Sequence, residues 1–256
     1  MLKENKNQSG IVPSGFEKKQ DWSSAYRANY PTVYRNELMK RCKIHKKNDS
    51  LKRIFDSELF EECKLKSQER QLICVDLLSA YGDAFLAIVN GMTSDEIYEA
   101  WSSDRNSINI ENRRRFNCKT VGVDISENAL KYTKLAGIFD EVVQTDINQM
   151  SQEDRKLLSE YLRKSDIVHS GSPGYMSLES FRFTVDSFAK GSDNFGYFIV
   201  SFNNIFMKFH KEFKRYILDQ LHFIDCTGGF QRNLLPDEEE YYGLSQVYNT
   251  TWIMKR

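Results

Sequence analysis

Three aspartates stand in a pattern that can bind a nucleoside. Asp76 follows Leu72-Ile-Cys-Val75, Asp124 follows Thr120-Val-Gly-Val123, and Asp146 lies just past Glu141-Val-Val-Gln144. Short runs of this kind, ending at an acid, are the pattern of buried parallel strands. In an open α/β sheet, ligands bind outside the carboxyl ends of the strands, at the point where the strand order reverses. A carboxylate beyond the second strand can accept hydrogen bonds from two ribose hydroxyls, which makes Asp124 the candidate for that role. Asp146 can accept from an adenine amino group. Gly82 comes soon after Asp76, where the absence of a Cβ lets the backbone approach a ligand closely. Singly, each acid is equally well a helix cap or a turn residue. Three in order along one sheet edge make the nucleoside reading the stronger one.

A second group of residues suggests a reacting centre. His169 ends a fourth strand, Asp166-Ile-Val-His169, and histidine, whose unperturbed pKa lies near neutrality, is the side chain suited to act as a general base. The segment Ser170-Gly-Ser-Pro-Gly-Tyr175 is a tight loop directly after that strand, a place where function concentrates. Ser201 and Asn203 follow the fifth strand, Tyr197–Val200. The bland alternatives are a hydrogen-bonded histidine at a strand end and a tyrosine that only packs.

The elements that must position these residues read as βα repeats. After the first strand come Tyr81-Gly82 and a helical stretch from Ala84 to Val89. Thr93 and Glu96 form a capping box for a helix through Trp101. Residues 102–117 are polar and are expected to be an insertion. Ser126 can cap a helix that stops at Gly137, and Ser151 can cap a helix over 152–163. Helices over 178–190 and up to about Gln220 flank the fifth strand. Phe223–Cys226 and Val247–Met254 lack an intervening helix, so they are expected to pair antiparallel across a loop holding Gly228, Gly229 and Pro236.

Ahead of the first strand, residues 1–20 are polar and expected to be loosely ordered. Residues 21–70 are expected to be helical, with Trp22, Tyr26, Tyr30, Val33, Tyr34 and Leu38 as an apolar stripe and Pro31 starting or breaking a helix. This segment is placed as a lid, and residues 71–256 form the nucleoside-binding domain. Lys40, Arg41, Lys43, Lys46, Lys47, Lys52 and Arg53 read as a solvated basic face.

The chain has 256 residues, 40% of them hydrophobic, with 36 basic and 36 acidic side chains and a formal charge of zero. A polyanion-binding protein carries a basic excess, so nucleic acid is not expected as a partner. No segment reads as a signal peptide or a membrane span. The cysteines Cys42, Cys63, Cys74, Cys118 and Cys226 are scattered, which suits reduced thiols in a cytoplasmic protein and no metal site.

From about Leu72 to its end the sequence resembles the class I S-adenosylmethionine (SAM)-dependent methyltransferases. Val75-Asp-Leu-Leu-Ser-Ala-Tyr-Gly82 is similar to that family's first motif, Val121-Gly-Val-Asp-Ile-Ser126 to its second and Gln144-Thr-Asp-Ile147 to its third. Ser165-Asp-Ile-Val-His-Ser-Gly171 occupies the strand where the family places its reactive edge. The resemblance implies a Rossmann-like α/β fold: a mainly parallel seven-stranded sheet, a C-terminal antiparallel pair and an N-terminal helical lid. It implies SAM as cofactor, held by Asp76, Tyr81, Gly82, Asp124, Ile125, Asp146, Ile147 and Ser170. Tyr175, His169, Ser201 and Asn203 are then the catalytic candidates, with the Tyr175 ring facing the sulfonium, a contact worth roughly 1 kcal/mol. Two departures stand out. Leu78 and Ala80 replace the first two glycines of the first motif, and the stretch from Asp76 to Asp124 is far longer than the roughly 20 residues of a dinucleotide fold.

The expected activity is methyl transfer to a small-molecule acceptor in biosynthesis. A second reading is a cyclase in which the SAM α-amine attacks its own γ-carbon, releasing methylthioadenosine and azetidine-2-carboxylate. A third is a SAM-binding module without catalysis.

Overall fold

The computed structural model describes residues 23–26, 28–40, 47–102, 110, 113–171, 173–234, 236, 239–240 and 243–256. Residues 1–20, Trp22, Arg41, Lys43 and Lys46, for which the sequence raised expectations, lie outside that set, and the side chains of Leu38, Lys40 and Lys47 are likewise not described.

Seven strands form one sheet: β1 (Leu72–Leu77), β2 (Cys118–Asp124), β3 (Glu141–Gln144), β4 (Ile167–Ser170), β5 (Tyr197–Asn203), β6 (His222–Asn233) and β7 (Gln246–Lys255). Their order is β3-β2-β1-β4-β5-β7-β6. Pairings from β3 through β5 are parallel, and β7 runs antiparallel to both β5 and β6. This is the Rossmann-like arrangement expected from the sequence, with the antiparallel β6–β7 pair at one end. The order reverses between β1 and β4, so the crevice for a ligand opens at their carboxyl ends.

Alternation along the strands divides the core. Leu72, Cys74, Ile199 and Ile253 face one side, against Phe55, Leu59 and Phe85. Val75, Leu77, Val121, Val123, Val168 and Val200 face the other, against Leu158, Leu162, Phe181, Val185 and Ile217. The first side is covered by α1 (Ser23–Tyr26), α2 (Lys47–Ile54), α3 (Phe60–Glu69), α4 (Asp83–Ile88), α5 (Ser94–Ala100) and α6 (Glu127–Leu135). The second is covered by α7 (Gln152–Lys164), α8 (Leu178–Ala189) and α9 (Met207–Gln220).

The caps read from the sequence are present. Ser126 and Ser151 accept the amides of Ala129 and Asp154, and Thr93 and Glu96 close a capping box. Ser177, not singled out from the sequence, likewise accepts the amide of Ser180. Gly137, at φ +70°, follows the end of α6. Pro31 starts a helical turn, its carbonyl accepting from Arg35 N.

Three expectations change. Gly228 and Gly229 lie inside β6, not in a loop. A Cβ on Gly229 would stand 2.6 Å from the Ser50 hydroxyl, so the glycine admits α2 against the sheet. The stretch 102–117 is not a free polar insertion where it is described. Ile110 and Phe116 are buried, Arg114 pairs with Asp140, and Arg115 pairs with Asp56. The N-terminal stripe is only partly inward, since Tyr34 is buried while Tyr30 and Val33 remain exposed. Among the described residues no helix is long and apolar enough to cross a membrane.

Candidate functional site

Among the described residues, the only non-glycine residues with positive φ lie in the loop after β1. Leu78, Ala80 and Gly82 all take left-handed conformations, with φ of +57°, +49° and +78°. Leu78 and Ala80 occupy the positions where the first motif would carry glycine. The loop therefore keeps the glycine-type path while two of its residues bear side chains, at a cost of roughly 1–2 kcal/mol each. Asp124, from the end of β2, holds this loop. Its Oδ2 accepts Ala80 N at 2.8 Å and its Oδ1 accepts Ser126 N at 2.8 Å. Burial pushes the Asp124 carboxyl above its ordinary range and the nearby Asp76 adds to this, while the backbone amides pull the other way. Ile125, the next residue, is 62% exposed, an apolar face presented beside the carboxylate.

Asp76 and His169 are register partners on the adjacent strands β1 and β4. Both are buried, and His169 Nδ1 lies 2.7 Å from Asp76 Oδ1. With a proton on Nδ1, the imidazole donates to Asp76 and its Nε2 is left as the basic atom. A Cβ on Gly171 would come within 3.0 Å of His169 Cε1, so glycine there leaves that edge of the ring uncrowded. Ser170 points to the opposite face, and its buried hydroxyl has no partner among the described residues.

The loops after β3 and β4 are tied by one side chain. Asn148 Nδ2 donates to the Tyr175 carbonyl at 2.9 Å, and its Oδ1 accepts Ser177 N at 2.7 Å. Asp146 folds back to accept Asn148 N, whereas Ile147 is buried in the core.

The N-terminal segment closes over the loop after β1. The Tyr81 hydroxyl donates to the carbonyls of Ala25 and Ala28, and the Ser126 hydroxyl donates to that of Tyr26. The Tyr81 ring packs among Tyr26, Tyr34, Trp101 and Tyr132, with centroids 5.5–6.2 Å apart. Tyr34 sits at the centre. Burial, followed by the neighbouring Asp83, Tyr81, Tyr175 and Asp124, pushes its hydroxyl well above the ordinary phenol range. Tyr175 and Asp124 thus both lie within electrostatic reach of Tyr34.

Ser201 and Asn203 lie farther along, on β5. The Ser201 hydroxyl is engaged with Thr251 on β7 at 2.8 Å. Asn203 faces Asn249 across the same strand pair. Asp83, Asn48, Asn148 and Asn249 were not singled out from the sequence. Asp83 had a signal, an acid directly after Gly82 at a helix start. The others depend on which strands and helices meet. Asn48, on α2, reaches Asp83 at 2.9 Å. Among the described residues no cluster of His, Cys, Asp or Glu could hold a metal ion.

No protein-family model and no curated protein matches the chain. Solved structures do. A TehB-like SAM-dependent methyltransferase from Corynebacterium glutamicum is 12% identical, covering 80% of this chain and 94% of its own, with TM-score 0.39. The N-methyltransferase NodS from Bradyrhizobium japonicum is 9% identical, covering 79% and 97%, with TM-score 0.39. Magnesium protoporphyrin IX methyltransferase from Synechocystis, with bound SAM, is 12% identical, covering 81% and 80%, with TM-score 0.42. Likeness this remote carries nothing about substrate, and the topology of this chain rests on its own strand pairings.

Proposed function

We propose that this chain transfers the methyl group of SAM to a small-molecule acceptor. The observation that carries the reading is the left-handed loop Leu78–Gly82 fastened to Asp124 beside the exposed face of Ile125. The residues fit the cofactor. Asp124 holds the backbone amides of Ala80 and Ser126, and its carboxylate has further lone-pair capacity to accept a ribose hydroxyl. Ile125 offers an apolar surface to adenine. Asp76 and Asp124 place negative charge near a site whose cofactor is a sulfonium cation. Bound there, SAM supplies an electrophilic methyl group. The chain's own share is positioning and exclusion of water, the main sources of acceleration for a displacement of this kind. Tyr26, Tyr34 and Tyr81 enclose the site. His169, oriented by Asp76, is the group to take the acceptor's proton at Nε2.

The test is binding of S-adenosylhomocysteine by calorimetry, followed by incubation with SAM. Binding that is lost in Asp124→Ala supports the reading. Methylthioadenosine formed from SAM alone would replace methyl transfer with the cyclising reaction. No measurable binding by the folded wild type would remove the SAM site altogether.

A further inference from the structure

At the carboxyl end of β5 and β7, two successive rungs of one ladder are built differently. In the first, Ser201 and Thr251 are register partners and bond each other at 2.8 Å. In the second, Asn203 and Asn249 are register partners, 4% and 7% exposed, and neither side-chain oxygen has a hydrogen-bond partner among the described residues. Two residues separate the rungs along each strand, so all four side chains lie on one face of the sheet. Buried polar groups are nearly always paired, and an unpaired one costs stability. A protein that pairs one rung and leaves the next unpaired has two buried side-chain oxygens that lack donors.

The position of α2 connects this rung to the rest of the site. Gly229 is the register partner of Asn249 on β6, and Ser50 of α2 sits directly over it. Two residues earlier, Asn48 donates to Asp83, the first residue of α4 after Gly82. One helix thus spans from the candidate cofactor loop to the open rung, and the rung lies on the sheet face that carries Asp76 and His169.

We infer that Asn203 and Asn249 form the acceptor-binding end of the site and that they take a substrate presenting N–H donors, a small amine. This rests on the methyltransferase reading and names its substrate class. Two unpaired amide oxygens match the N–H donors of an amino group, whereas a carboxylate or phosphate carries no N–H to satisfy them. The transfer then balances simply. The amine lone pair forms a bond to the methyl carbon, the carbon–sulfur bond breaks, S-adenosylhomocysteine leaves, and the amine proton passes to water.

The probes are putrescine and phenethylamine, with succinate and phenylacetate as matched acids, titrated into protein saturated with S-adenosylhomocysteine. The amines are expected to bind at least tenfold tighter than the acids. Asn249→Leu, which closes the rung with an apolar side chain of similar size, should weaken amine binding at least tenfold, leave S-adenosylhomocysteine affinity unchanged, and hold or raise the thermal midpoint. If Asn249→Leu does not fold, Asn249→Ala removes the amide without filling the space and should show the same loss. The inference is overturned if the acids bind as well as the amines, if neither class binds, or if the variants bind amines like wild type. Failure of the wild type to bind S-adenosylhomocysteine instead strikes the parent reading, so the two failures are told apart in one sample.

Discussion

At the amino end of the strands, Arg70 grips Asp166 with both terminal nitrogens, at 2.8 and 2.5 Å, and reaches Asp193 at 2.8 Å. Arg114 grips Asp140 in the same way, at 2.8 and 3.0 Å. Arg256 caps the carbonyls of Phe188, Asp193 and Phe195, in a space that Gly191 and Gly196 leave open. At the carboxyl end, among the described residues, Asp124 has only backbone amides, Leu78 and Ala80 hold left-handed backbone, and Ser170, Asn203 and Asn249 carry unpaired oxygens. Opposite charges are matched at one end, while left-handed backbone at residues with side chains lies at the other, beside several unmet hydrogen bonds. Strain and unpaired polar groups persist only where the surrounding structure holds them in place. The ion-paired end and the apolar core supply that support, which separates the residues that stabilise from those available for chemistry.

The largest effect should come from Arg70→Met. It leaves Asp166 buried with the Ile73 amide as a remaining donor. Stability in chemical denaturation should fall by about 3 kcal/mol with S-adenosylhomocysteine affinity unchanged. A parallel loss of affinity would break the division between the two ends.

Acid should separate the ends in sequence. Burial holds the His210 imidazole, which donates to the Asn203 carbonyl, down to about 4 from its ordinary 6.5. Below pH 6.5 the unfolded chain takes a proton that the folded chain refuses until about pH 4. Stability should therefore fall across that window by up to about 3 kcal/mol. For Asp140, burial raises the carboxyl, but the bonds from Arg114 outweigh it and leave it lowered. Its stabilisation is fully present above the unfolded carboxylate range, about pH 4, and is lost only below that. His210→Asn should remove the first phase and leave the second. An unchanged first phase would mean that some other group titrates there.

Asp124→Ala should weaken S-adenosylhomocysteine binding at least tenfold, since each hydrogen bond to a charged acceptor is worth about 1.5–3 kcal/mol. Calorimetry on the folded variant decides this. The smallest effect, and the sharpest test of strain, is Ala80→Gly. Relief of the left-handed penalty should outweigh the added freedom of the unfolded chain and raise stability by about 0.5–1 kcal/mol, with binding retained. A drop in the thermal midpoint would show that Ala80 is not strained.

Much of this architecture could be read directly. Strand-end acids, serine caps and a stop at Gly137 are local signals, and each element they announce is present. Gly228 and Gly229 misled because a glycine pair reads as a turn, and only the approach of Ser50 explains a glycine within a strand. The pairing of His169 with Asp76 lay beyond reach for a related reason. The two residues are far apart in sequence and meet only because β1 and β4 are neighbours in a particular register. The same holds for Asn203 and Asn249. Leu78 and Ala80 replace glycines, yet their φ is left-handed, because backbone path is set by what surrounds it as well as by the residue that occupies it.

Asn148 has a consequence for how the protein breathes. Its amide satisfies the Tyr175 carbonyl with one end and the Ser177 amide with the other, so neither loop can lift without breaking bonds to its neighbour. The turn after β3 and the loop after β4 should therefore open as one cooperative unit. In hydrogen exchange, the Asn148 and Ser177 amides should share a single opening rate. Asn148→Ala should split that rate in two, with the loop that carries Tyr175 exchanging faster.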